Sequence, residues 1–259
     1  RPADSGLPKT QPQRLTLEEF RARLRAQLIL PRAAEEEILK AALVLMDPED
    51  YQRTWGLPPP RGLLLHGPPG TGKTSLARFL AETLGLPFYA VSPADLKSKW
   101  YGESEAKTRA LLEEAASHPR SLVFVDEAET LLGAREELRH EVSRTLVTLF
   151  LQYLEGLKPS QLFLVLATNY PDQLDPALLS RIAFRVELPL PGPKEREALL
   201  KRLLPHGRYL EEDLMALVAA TEGFSGRDLR TLVGRATLKA HAEGRRFLTL
   251  EDFLAEFPQ

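Results

Sequence analysis

From residue 61 onward, short apolar runs alternate with longer stretches of helical spacing. The runs fall at 61–66, 88–91, 121–125, 161–167 and 184–188. They are short for helices, and Ser121-Leu-Val-Phe-Val125 is apolar without alternation, the pattern of a strand covered on both faces. Helical spacing fills 72–84, 103–116 and about 136–154, with a short helix ahead of the last. Strands separated by helices predict a five-stranded parallel sheet with helices on both faces. Upstream, Thr16 caps a helix with Leu17, Phe20 and Leu24 on one side. A second helix follows Pro31, with Ile38, Leu39, Leu43 and Leu45 as its expected buried side, and Trp55 to Pro60 reads as a rigid connector. Pro189-Leu-Pro-Gly-Pro193 breaks the alternation, and only helices are expected beyond it, at about 194–204, 210–221, 225–243 and 249–256. The expected organisation is a Pro-rich linker over 1–14, an α/β unit over 15–189 and a helical unit over 190–259.

Composition narrows the class. The 259 residues are 43% hydrophobic and 27% charged, the balance of a globular protein. No apolar run approaches the roughly 20 residues that span a bilayer. A formal net charge of −2 supplies no global field for nucleic acid. There are no cysteines, which excludes disulfides and thiolate metal sites and suits a cytoplasmic setting. None of the five histidines has metal-ligand spacing. The chain opens on Arg1 rather than Met, which leaves room for a preceding anchor or partner-binding domain, or a separate adaptor.

The densest chemistry lies between the first expected strand and the helix after it. Gly67-Pro68-Pro69-Gly70-Thr71-Gly72-Lys73-Thr74 fits the phosphate-loop pattern G-x-x-x-x-G-K-[ST] at every fixed position, and Ser75 continues into the helix. Glycines let successive N–H groups turn toward one anion, and the helix N-terminus adds partial positive charge. Lys73 can reach the β- and γ-phosphates, and the Thr74 hydroxyl can ligate Mg²⁺. The fold expected is therefore a P-loop nucleotide-binding core with a C-terminal helical lid.

Two carboxylates, Asp126 and Glu127, end the run Leu122-Val-Phe-Val125. In a parallel sheet that edge is where ligands sit. Asp126 suits the metal's water shell, and Glu127 suits polarising a water for in-line attack. By themselves they would read first as a polar strand terminus with a helix-capping Asp; the phosphate loop beside them shifts the reading to hydrolysis. Asn169, after the next buried strand, can fix the attacking water or serve as a turn residue before Pro171.

Together these motifs resemble the AAA-family ATPases. The resemblance rests on GPPGTGKT, LVFVDEAE, Leu166-Ala-Thr-Asn-Tyr-Pro-Asp-Gln-Leu-Asp-Pro-Ala177 and Gly223-Phe-Ser-Gly226, in family order from about residue 15 to the C-terminus. It implies ATP and Mg²⁺ as cofactors and a homo-oligomeric ring, usually of six subunits, with ATP at the interfaces. Arg181 falls at the second position of the family's arginine pair, which completes a neighbour's site in trans, while Ser180 departs from the first. Arg185 reads as a structural charge. Lys99, Trp100 and Tyr101, in Lys99-Trp-Tyr-Gly-Glu-Ser-Glu105, resemble the pore loop of protein-remodelling members such as katanin, spastin and the segregase second ring. The aromatics would grip an extended polypeptide; otherwise two loop aromatics would be tucked into a core. Gly133 to His140 resembles a second pore loop. Ile29 matches the adenine-contacting segment and Gly226 a close approach to adenosine. Arg227 replaces a small residue and either senses phosphate or points to solvent. The resemblance thus implies an ATP-driven ring motor threading a protein substrate; the alternative is a nucleic-acid-handling member such as a clamp loader or initiator.

Overall fold

The computed structural model describes residues 15–94, 101–133, 140–156 and 161–257. The expected linker over 1–14, Lys99, Trp100 and most of the second pore-loop segment lie outside them, as does the side chain of Tyr101. Five strands, β1 (Gly62–His66), β2 (Phe88–Val91), β3 (Ser121–Val125), β4 (Leu162–Thr168) and β5 (Phe184–Glu187), form one parallel sheet in the order β2-β3-β4-β1-β5. All seven residues of β4 and all five of β3 are buried, because both sheet faces are covered.

Alternate residues of the same strands build two cores. Leu63, Leu65, Leu122, Phe124, Phe163 and Val165 face one way. There they meet α1 (Leu17–Gln27), α2 (Arg32–Met46) and α4 (Lys73–Thr83), while Tyr51 of α3 (Pro48–Trp55) packs at the margin. Leu64, Val123, Val125, Leu162, Leu164 and Leu166 face the other way, against α5 (Tyr101–Ser117), α6 (Ala128–Leu132), α7 (His140–Leu154) and α8 (Pro176–Arg181). A third core belongs to α9 (Pro193–Leu203), α10 (Glu211–Ala220), α11 (Gly226–Ala242) and α12 (Leu250–Leu254), with Leu200, Leu217, Leu229 and Phe253 near its centre.

One expectation needs correction, and two short helices are additions to it. Leu43 is 51% exposed; the buried side of α2 runs through Ala34, Ile38, Ala41, Ala42 and Leu45, and position 43 turns outward. Residues just ahead of the connector form α3, capped by the Asp47 side chain with Pro48 opening its first turn and Gly56 closing it in the left-handed region. The segment after Asp175 forms α8, started by that aspartate's side chain accepting from Ala177 N.

Candidate active site

Strand order, rather than chain order, assembles the site. Because β4 lies between β3 and β1, the residues leaving those three strands emerge side by side. They are Asp126, Asn169 and Gly67. Val125 lies opposite Leu166, His66 lies opposite Thr168, and Gly67 N donates to the Thr168 carbonyl at 3.3 Å.

The phosphate loop is wedged between the exit of the sheet and the lid. Gly67 has φ 143°, and a Cβ there would fall 2.1 Å from the Leu188 carbonyl oxygen. Gly70 has φ 77°, and a Cβ there would meet Ser225 Oγ at 2.7 Å. Lys73, the first residue of α4, is only 9% exposed, and its Nζ donates to the carbonyls of Gly67 and Pro68, both at 2.8 Å. Burial lowers its pKa, Asp126 and Glu129 oppose that shift, and Arg227 reinforces it. Gly72 caps α4 without a side chain and its first turn holds no acid, which suits the uncapped N–H groups to an anion. Thr74 and Ser75 are exposed on that turn.

Asp126 is half-buried; its N donates to Val91 O and its Oδ1 accepts from Glu127 N, both at 2.9 Å. Glu127 has φ 47° and ψ 47°, the one non-glycine with positive φ among the described residues. That left-handed turn costs about 1 kcal/mol and brings the exposed Glu127 onto the cleft. Glu129, in the first turn of α6, accepts a hydrogen bond from Thr168 Oγ1 at 2.5 Å, and Asn169 directly follows Thr168.

These groups line a cleft of about 670 Å³ that also takes in Pro69 to Gly72 of the loop. Leu28, Ile29, Leu30 and Pro31 form one apolar wall, and Leu199 and Leu203 of α9 form another. Gly226 and Arg227 close the lid side, where Arg227 N donates to Gly70 O at 3.2 Å. A Cβ on Gly226 would sit 3.6 Å from Gly70 O, an ordinary contact. Close packing of lid on loop therefore does not demand glycine at that position.

Comparison with known proteins bears on the same residues. Residues 63–190 match the model of the ATPase family associated with various cellular activities (AAA), and residues 211–255 match the AAA+ lid domain. The crystal structure of the FIGL-1 AAA domain superposes with a TM-score of 0.69 at 33% identity, covering 85% of this chain and 78% of that one. This chain is an AAA ATPase. It is 40% identical over 230 residues to the ATP-dependent zinc metalloprotease FtsH of Acidothermus cellulolyticus, covering 84% of this chain and 34% of the relative. It is 40% identical over 182 residues to spastin of Naegleria gruberi, covering 67% and 35%. The chain thus spans about a third of the length of these curated relatives.

In this AAA ATPase the remaining arginines fall in two places. Arg181 ends α8, outside the cleft, paired through Nε to Glu155. Its Nη1 also donates to Ser180 Oγ at 2.9 Å. The next residue, Ile182, packs on Gly62, whose added Cβ would lie 3.3 Å from Ile182 Cγ1. Arg181 therefore sits by the start of β1, while the phosphate loop leaves its end. Arg185 Nη2 donates to Leu179 O at 2.6 Å. Inside the cleft, Arg202, Arg227 and Arg230 line the lid side, and Arg202 Nη2 donates to Arg25 O at 2.7 Å, tying α9 to α1. Sequence reasoning missed Arg202, Arg230, Glu129 and Thr168. Arg202 and Arg230 lie outside every motif, while Glu129 and Thr168 sit inside two quoted motifs without a role assigned to them, and only the fold brings all four to the cleft.

Proposed function

We propose that this chain is the motor module of a homo-oligomeric, six-membered ring that uses Mg²⁺ and ATP to pull polypeptide through a central pore. The observation that carries the shared-site part is the placement of Arg181. A five-residue strand separates it from its own phosphate loop by roughly 15 Å, beyond the reach of its side chain. In a ring, that arginine would complete the site of the next copy, where it neutralises charge on the transferring phosphoryl group.

The residues divide the work. Backbone N–H groups from Gly70 to Thr74, where α4 starts, hold the phosphates, and Lys73 exchanges its two loop carbonyls for phosphate oxygens. Thr74 hydroxyl and Asp126 carboxylate are hard oxygen donors lining one cleft and fit Mg²⁺. When bound with ATP, the ion neutralises β- and γ-phosphate charge. Glu127 takes a proton from the attacking water, and Asn169 holds that water in line. Ile29 and its apolar neighbours receive the adenine, while Gly226 and Arg227 close over the nucleotide.

Lys99 and Trp100 precede Tyr101, the first residue of α5, in the chain, and the three would present the gripping surface to the substrate. The relationship to an ATP-dependent protease supports a polypeptide as that substrate, and a net charge of −2 favours it over nucleic acid. An adaptor or a further domain would choose the client. No helix among the described residues is long and apolar enough to cross a membrane, and the absence of cysteine suits work in the cytoplasm. The reading is tested by ATP-dependent unfolding of a tagged reporter protein: loss of reporter structure that requires ATP hydrolysis is expected, and ATP turnover with no effect on any unfolded or tagged polypeptide contradicts it.

A further inference from the structure

We infer that Glu129 is a positioning residue for ATP hydrolysis, acting through the hydroxyl of Thr168 to fix Asn169 over the cleft. The inference rests on the reading of Asn169 as the residue that holds the attacking water.

Thr168 is a junction of three hydrogen bonds. Its Oγ1 donates to Glu129 at 2.5 Å and accepts from Tyr170 N at 2.9 Å, while its carbonyl accepts from Gly67 N at 3.3 Å. The residue is 1% exposed, so this hydroxyl has no water to fall back on and needs a protein acceptor. Glu129 is the acceptor. The bonds at Thr168 and at Tyr170 N bracket Asn169, so the backbone carrying the amide is held on both sides. Without Glu129 the hydroxyl keeps only the Tyr170 contact, and the backbone keeps the sheet ladder and the bond from Gly67 N.

Glu129 is itself well anchored. It sits in the first turn of α6, two residues after the left-handed Glu127, and the far end of that helix is pinned. Asp175 N donates to Leu132 O at 3.0 Å, Gly133 bridges to Leu174, and a Cβ on Gly133 would fall 2.3 Å from Glu129 O. The same short helix therefore carries Glu127 at its start and the brace for Asn169 two residues on. One rigid piece sets the two groups that would flank the attacking water. Glu129 also lies close enough to Lys73 to oppose the lowering of its pKa, which places the carboxylate at the inner wall of the cleft.

The test separates a brace from a directly acting carboxylate and from a merely structural one. In the full chain, kcat, KM and ATP affinity are measured for E129A, E129Q, T168V, T168S and N169A. Glu129→Ala and Thr168→Val are each expected to lower kcat by at least about tenfold while ATP affinity moves less than about threefold, because a misplaced group costs turnover rather than binding. Glu129→Gln and Thr168→Ser keep an acceptor and a donor, so each recovers most of that loss. The E129A/T168V double variant is expected to be no slower than the worse single one, since both break one bond. Equal losses in E129Q and E129A, with T168V at the wild-type rate, would overturn the inference in favour of direct action. ATP affinity and melting temperature falling together with kcat in every variant would overturn it in favour of a structural role. Wild-type turnover in N169A would sink the reading on which it rests, whereas a crippled N169A beside an unaffected T168V sinks the inference alone.

Discussion

Arg181 is ion-paired with Glu155, the residue that follows α7. The pair lies at the edge of the sheet where β1 begins, and the phosphate loop lies where β1 ends. Arg181 and the phosphate loop are thus held at opposite ends of the same strand. Such an arrangement makes chemical sense when each end meets a different copy.

Glu155→Gln releases the guanidinium without touching the cleft. ATP affinity should stay within about twofold of wild type, because distant sites act independently. The dependence of turnover on protein concentration should change. Isothermal titration and ATPase assays over a dilution series check both, and a shifted affinity would contradict the separation of the two ends.

Glu127→Gln keeps the shape of the residue and removes its basicity. We expect ATP to bind as in wild type while kcat falls by about 10²–10⁴-fold. Binding and single-turnover assays distinguish this from a folding defect. Turnover at the wild-type rate would remove Glu127 from the role of base.

The strands were legible because buried parallel strands must be short and apolar, and the runs at 121–125 and 161–167 are both. The phosphate loop was legible because its backbone geometry restricts residue type at the pattern's fixed glycines, Gly67 at φ 143° and Gly72 at φ 100°. The two missed helices are short, with 8 and 6 residues, and each opens on proline after an aspartate cap, a pattern that also describes a turn. Leu43 was misassigned because α2 is apolar over nearly its whole second half, so periodicity could not say which leucine faces out. Glu129 was illegible for a different reason. Its partner Thr168 is 39 positions away, and only the insertion of β4 between β1 and β3 brings them together.

The lid carries its own pH-sensitive clamp. Asp252, with a side chain 5% exposed, accepts from Arg245 Nη2 at 2.6 Å and Nη1 at 2.8 Å, and its Oδ2 accepts from Thr249 N at 2.9 Å. The Arg245 guanidinium holds its carboxyl well below the usual carboxylate range. A depressed folded-state pKa gives stability that is complete above the unfolded value near 3.9 and drains away as pH falls from there toward the folded value. Thermal melts should therefore show the lid weakening below about pH 4. Asp252→Asn should lower the melting temperature at neutral pH by about 5 °C and flatten that acid limb. An unchanged acid limb would show that the clamp is not its source.

Trp100 and Tyr101 are tested as a pair. With both changed to alanine, the amount of reporter unfolded per ATP hydrolysed should drop by more than about tenfold, since each aromatic face supplies gripping area that alanine lacks. The ratio is the informative quantity, because it removes any change in turnover. An unaltered ratio would assign the grip to other residues.

The shared site is the central claim, and complementation between two inactive variants tests it most directly. Lys73→Ala spoils a cleft but keeps Arg181, and Arg181→Ala keeps the cleft but withholds the arginine. Each alone should be nearly inactive. An equal mixture should regain roughly a quarter of wild-type turnover, the statistical share of intact clefts facing an intact arginine. A mixture no more active than its parents, or wild-type turnover in Arg181→Ala alone, would contradict a site divided between copies.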